Sequence, residues 1–387
     1  MSSPDLTDAE RQIVAGVLNT PSLSMGRYIE AFEGAMRTFT GCQHAIGVNS
    51  GTAGLHLCVR AAGIGPGDAV ITTPFSFVAS TNVLLYEGAT PVFVDVDPLT
   101  GNIDPAQVQM AADDLAHGDA AAKRWLPRQG FPTDRPLRLK AILPVDVFGQ
   151  PADLDPINQT AQAYHLAVIE DACEALGAGY KNRKAGSLGD YGVFAFYPNK
   201  QITTGEGGMV VTNHAQAADF MRALRNQGRA PGDTWLQHTY LGYNYRLDEM
   251  SAALGAVQMG RLDDLLAKRQ RVADWYGERL AEIPGIQPPA LADTTSRVSW
   301  FVYVIRLPQQ TDRAALAHTL AEKGIPVRPY FLPIHLQPYM VERFDYREGD
   351  YPVTEDLGQR GLALPFSSVM DEGQVDAVCR ALVEAIR

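Results

Sequence analysis

A chain of 387 residues is long for one compact core and predicts two or three domains, or one large and one small. Its hydrophobic fraction of 46% and charged fraction of 20% are those of a packed globular protein, unlike a disordered or fibrous chain. A net charge of -11 leaves no basic excess to neutralise a phosphate backbone, which argues against a nucleic-acid or anionic-membrane surface but leaves isolated anionic ligands open.

Thr7 followed by Glu10 forms a capping-box signal, and Ile13, Val14 and Val17 continue it as a short amphipathic helix. The first residues lack a basic segment followed by an apolar one, and no apolar run reaches membrane-spanning length, so a cytoplasmic protein is expected. A second helix carries Tyr28, Phe32 and Met36. From residue 45 short apolar strands alternate with helices, at 45–48, 69–72, 91–94, 141–145, 167–169, 193–196 and 209–212. That alternation predicts an α/β fold with a large, mostly parallel sheet.

Residues 111–139 hold a Pro-, Arg- and Asp-rich stretch with Trp125, read as a surface excursion. One long helix is expected over 248–279, with a basic cluster at 268–271. The proline-containing segment 282–289 marks a boundary, giving a large domain over 1–280 and a smaller C-terminal α+β domain over 281–387. The latter is expected to hold a strand over 300–306 and helices over 311–323 and 372–386. Cys42, Cys58, Cys173 and Cys379 are widely spaced and show no metal-type pairing, so free buried thiols are expected.

Three strand ends carry candidate chemistry. Phe194-Ala-Phe-Tyr-Pro-Asn-Lys200 is an apolar run that stops at a lysine and enters the glycine-rich turn ending at Gly208. A lysine that attacks an aldehyde must lose its proton, which burial favours. On spacing alone a surface lysine after an edge strand fits equally well. Asn49-Ser-Gly-Thr52 leads from a strand into a helix, where backbone N–H groups with Ser50 and Thr52 hydroxyls make a phosphate cradle or an ordinary capped turn. Ile169-Glu-Asp171 places acids at the carboxyl end of a buried strand. A carboxylate there can pair with the pyridinium nitrogen that makes pyridoxal phosphate an electron sink, and Asp171 is the candidate. Phe77, after another strand, is placed to stack on such a ring or to fill the core.

No dinucleotide fingerprint stands in the required strand–turn–helix context, because Gly63-Ile-Gly-Pro-Gly67 follows a helix and precedes a strand. No metal site is expected, since the glycine of Asp95-Val-Asp-Pro-Leu-Thr-Gly101 is one position late for a calcium loop and no acid closes it.

The ordered set of motifs resembles the DegT/DnrJ/EryC1/StrS sugar aminotransferases, within the fold-type I pyridoxal phosphate enzymes. It comprises 49–53, 74–79, 90–95, 170–174, Lys200 with 205–208, and 241–246, spread across nearly the whole chain. The resemblance implies that Lys200 carries the cofactor, Asp171 pairs its ring nitrogen, Phe77 stacks on it, and Gly51 and Thr52 hold its phosphate. Glu174 falls near the ring hydroxyl. Asn244 matches an asparagine that family members contribute from the neighbouring subunit, which implies a homodimer with shared active sites. Where the family commonly has a phosphate-binding serine, this chain has Ala195, which shifts that task toward Ser50, Thr52 and backbone groups.

The resemblance also implies a glutamate donor and a nucleotide-linked keto sugar acceptor, and the form of 202–208 looks more like that of members acting at C4 than of those acting at C3. Arg229, Arg246, Arg328 and the 268–271 cluster are candidate cations for the nucleotide diphosphate. Segment 327–335 resembles a proline-rich loop near the sugar, which makes Tyr330 and His335 candidate substrate contacts.

Overall fold

The computed structural model describes residues 3–118, 120–132 and 137–386. Thr7 caps helix Asp8–Leu18 through the expected capping box, and helix Arg27–Thr40 follows with Phe32 and Met36 buried. All seven predicted strands form one sheet, ordered His44–Val48, Gly208–Thr212, Tyr191–Ala195, Ala167–Asp171, Arg138–Leu143, Asp68–Thr72, Thr90–Phe93. Four neighbouring pairs run parallel, and only Gly208–Thr212 lies antiparallel to both of its neighbours. The strands are almost wholly buried because helices cover both faces, which is why they read as continuous apolar runs.

The antiparallel strand sets the site. Gly208 pairs with Val48 on one side and Ala195 on the other, so the turn after the first strand lies beside the segment that leads to Lys200. A Cβ at Gly208 would lie 2.5 Å from the Ser50 carbonyl oxygen, so this close approach of backbones requires glycine.

The helix expected over 248–279 is two helices, Glu249–Gly260 and Leu262–Leu280. The break falls at Arg261, whose backbone leaves helical geometry while its guanidinium turns back to Glu10 at 2.6 Å and Asp5 at 2.8 Å. The ion contacts hold a conformation that helix periodicity does not reveal.

A three-stranded antiparallel sheet, Tyr303–Arg306, Gly361–Leu364 and Arg328–Pro329, makes the smaller body with helices Arg313–Glu322 and Glu372–Ile386. Its apolar core also takes Val272, Ala273, Tyr276 and Leu280 from the preceding long helix. Before entering this sheet, the chain returns to the larger body, where Thr295–Arg297 pairs with Gly179–Tyr180. Within the 111–139 excursion the Trp125 indole donates to Asp114 at 2.7 Å and Arg128 pairs with Asp350, so the stretch lies against the C-terminal part of the chain. Residues 119 and 133–136 of that excursion lie outside the described residues.

Candidate active site

Strand Tyr191–Ala195 runs into a turn that its own hydroxyls close. Thr203 Oγ1 donates to the Phe196 carbonyl at 3.0 Å, the Gly205 N–H donates to Thr203 Oγ1 at 2.9 Å, and Gly205 takes φ +80. This turn fixes the backbone on both sides of Lys200, whose own N–H donates to the Tyr197 carbonyl at 2.9 Å. The lysine side chain is 13% exposed, with Nζ 3.7 Å from Glu174 Oε1. It points into a cleft of about 420 Å³ shared by both bodies of the chain.

Ser50, Gly51, Thr52, Phe77, Asp171, Glu174, Lys200 and Tyr330, all singled out in the sequence, line this one cleft. Asp171 ends its strand 5% exposed, with one carboxylate oxygen accepting the Cys173 N–H at 3.1 Å. Glu174 accepts the Phe148 N–H at 2.9 Å. Burial pushes both carboxyls above their ordinary range, while hydrogen bonds from Cys173 to Asp171 and the nearby Lys200 beside Glu174 pull the other way.

Helix Gly51–Ala61 begins at the cleft, and its cap Ser50 accepts the Ala53 N–H at 3.1 Å. The N–H groups of the first turn have no carbonyl within the helix to bond, which leaves donors and the positive end of the helix dipole facing the cleft. A Cβ at Gly51 would lie 2.8 Å from the Ala195 Cβ and 2.9 Å from Cys173 Sγ. The alanine at 195 therefore packs against Gly51 and leaves the Ser50–Thr52 turn to supply the polar atoms. Phe77 is 63% exposed on the wall of the cleft, where its ring is free to cover a flat ligand. A phosphate cradle, a buried acid, an exposed ring and an amine in one cleft fit the donor set that pyridoxal phosphate needs.

Other candidates lie elsewhere. Asn244 is exposed and outside the cleft of its own chain, where its carbonyl accepts from the Asn49 side chain at 3.3 Å. Arg229 stacks on Trp235 with 4.9 Å to the ring centroid, and Arg246 donates to Asn226 at 2.9 Å. Arg328 is exposed in its short strand and does not line the cleft.

His335 corrects the expectation of a substrate contact: it is 0% exposed, with Nε2 2.9 Å from Glu355 Oε1, because the 3-10 turn Ile334–Leu336 directs it into the core. Lys268 and Arg269 of the 268–271 cluster are corrected likewise, while Arg271 is exposed. Lys268 pairs with Asp5 and Asp264, and Arg269 is buried with all four of its hydrogen bonds on backbone carbonyls. Burial lowers the Arg269 guanidinium to about 10.

Sequence reasoning missed Tyr197, Glu206, Phe301 and Phe331 on the cleft walls. The first two stand inside the lysine motif and were within reach. Phe301 was hidden in an apolar run read as strand, which begins only at Tyr303. Among the described residues no group of three His, Cys, Asp or Glu side chains is placed to hold a metal ion, and no helix is long and apolar enough to cross a membrane.

The model of the DegT/DnrJ/EryC1/StrS aminotransferase family matches residues 4–383. The chain is 39% identical over 390 residues to the GDP-perosamine synthase of Caulobacter vibrioides, covering 100% of this chain and 98% of that relative. Among solved structures it resembles DesV of S. venezuelae, in complex with a ketimine intermediate, at a TM-score of 0.85 and 32% identity over 98% of this chain and 94% of that one. It also resembles a family aminotransferase from Brucella abortus at a TM-score of 0.86 and 30% identity, with coverages of 97% and 94%. Extended sequence identity, fold and cleft agree, and the chain belongs to the DegT/DnrJ/EryC1/StrS aminotransferase family.

Proposed function

We propose that this pyridoxal phosphate-dependent sugar aminotransferase moves an amino group from L-glutamate to C4 of a nucleotide-linked 4-keto-6-deoxyhexose, with GDP as the nucleotide. The observation that carries the reading is the convergence of Lys200, Asp171, Glu174 and the Ser50–Thr52 turn on one cleft. The name of the Caulobacter relative supports GDP, and the form of residues 202–208 supports C4.

When bound, pyridoxal phosphate supplies an electron sink for the carbon that loses its proton. The chain supplies the rest. Lys200 would tether the cofactor, and its Nζ, when free, would accept and return a proton as general base and then general acid. The carboxylate of Asp171, kept from solvent, would hold a proton on the ring nitrogen. Gly51 and Thr52 N–H groups with the Ser50 and Thr52 hydroxyls would bind the phosphate, and Phe77 would cover one ring face. Glu174, beside the amine, would orient it and face the ring hydroxyl.

Asn244 is exposed on its own chain, which supports its delivery to the phosphate of a second copy and hence a homodimer. Tyr330 on the cleft wall is the substrate contact that the geometry favours, and Arg229 and Arg328 remain candidates for the diphosphate across such an interface. The protein would act in the cytoplasm, in the making of a polysaccharide or glycoconjugate.

The test is optical. Purified cofactor-loaded protein is expected to be yellow and to bleach with L-glutamate. Colour should then return on adding a GDP-linked 4-keto sugar, in a panel with UDP- and dTDP-linked and 3-keto counterparts. Recovery with 3-keto sugars alone would refute the C4 assignment, and protein indifferent to glutamate would refute the donor.

A further inference from the structure

The amine of Lys200 has a second neighbour besides Glu174: Nζ stands 3.8 Å from the centroid of the Phe301 ring. Phe301 comes from the segment that enters the smaller body, 3% exposed, and its position is fixed from several sides. Its N–H donates to the Phe148 carbonyl at 3.3 Å, and the preceding Ser299 N–H donates to the Gly149 carbonyl at 2.9 Å. Gln201, next to Lys200, donates through Nε2 to Ser299 Oγ at 2.8 Å.

The strongest link is Arg269. Its guanidinium donates to the carbonyls of Lys200 at 2.7 Å and Asn199 at 3.3 Å on one side. On the other it donates to Trp300 at 2.9 Å and Phe301 at 3.3 Å. One planar fork thus ties the lysine turn to the Phe301 segment, a geometry a point-charge ammonium does not reproduce. Trp300 takes φ +51, a left-handed conformation that a bulky side chain adopts only when its surroundings enforce it. Trp300 Nε1 donates to Gln270 Oε1 at 2.8 Å, so residues adjacent in one helix hold both the main chain and the side chain of this turn.

We propose that Arg269 is a positioning residue that clamps the Lys200 turn to Phe301, so that the Phe301 ring and the Glu174 carboxylate form a seat for the lysine amine whenever it is free of the cofactor. The inference rests on Lys200 being the reacting amine. An amine released during each half of the cycle must stay close and oriented to move the next proton, and the seat keeps it there. The ring face attracts the charged amine and shields it from water, while Glu174 supplies the opposite charge.

The test uses the full chain without cofactor, so its failure is separable from failure of the functional assignment. An amine-acylating reagent is applied to the wild-type protein, Phe301→Leu and Arg269→Lys, and modification of Lys200 and Lys268 is followed by peptide mass spectrometry alongside melting curves. Lys200 is expected to label faster in Phe301→Leu by roughly 2- to 30-fold, the span of cation–π contacts. It should also label faster in Arg269→Lys, whereas Lys268, held by Asp5, should keep its rate. Unchanged Lys200 labelling in Phe301→Leu would overturn the proposal, as would equal acceleration at Lys200 and Lys268, which reports general loosening. Unchanged Lys200 labelling in folded Arg269→Lys would overturn the clamp, and if that variant does not fold, Arg269→Gln takes its place.

Discussion

Two groups of buried acids in this molecule are treated in opposite ways. Glu10, 2% exposed in the first turn of the first helix, accepts from Thr7, Gln258 and Arg261. Burial alone would raise its pKa, yet those donors outweigh burial and bring it down to about 2. Asp171 and Glu174, as little exposed but set deeper among protein atoms, have one backbone N–H each among their bonds, and burial keeps their pKa values raised. Saturated with partners, an acid stabilises the fold; left short of partners at a cleft wall, it is available to a ligand.

Substitutions should separate the two regions, and the largest effect belongs to the cleft. Lys200→Ala is expected to reduce turnover by roughly 10⁴-fold or more, while leaving the melting curve of the cofactor-free protein close to wild type. Steady-state transamination and calorimetry check both halves. Next comes Asp171→Asn, which keeps shape but removes the charge, with an expected loss on the order of 10²–10³-fold in kcat. Stopped-flow bleaching with glutamate would show whether the loss lies in proton removal.

Gly51→Ala drives a Cβ against Ala195 and Cys173, so it should weaken cofactor binding by the overpacking cost of about 1–3 kcal/mol. Equilibrium titration with pyridoxal phosphate measures that. The smallest catalytic effect is expected for Glu10→Gln, which should cost about 1–3 kcal/mol of stability with kcat unchanged. Because the folded-state pKa of Glu10 is about 2 against an ordinary 4.5, its contribution is complete above pH 4.5 and fades as pH falls from there toward 2. Acid unfolding of Glu10→Gln should therefore show a shallower pH dependence across that window than the wild type. A cleft variant that lost as much stability as Glu10→Gln would blur the comparison.

Much of this was legible in the chain. The seven strands showed because strands covered on both faces are uninterrupted apolar runs, and Lys200, Asp171 and the Ser50–Thr52 turn showed because each ends such a run. Contacts that join distant segments did not show. Arg269 read as one member of a surface-like basic cluster, since nothing local reveals that it faces carbonyls 31 and 69 positions away. His335 stood beside prolines in a motif near the sugar, and its burial against Glu355 depends on a helix packed later in the chain. The apparently continuous helix breaks at Arg261, whose guanidinium is held by Glu10 and Asp5 at the far end of the sequence.

Lys200 is the residue expected to be joined to the cofactor. Reducing the pyridoxal phosphate-loaded protein with borohydride and mapping the pyridoxyl group by peptide mass spectrometry tests it most directly. One pyridoxyl-lysine is expected, at residue 200, with its formation suppressed when glutamate is added first. A label at another lysine, or none in protein that binds the cofactor, would contradict it.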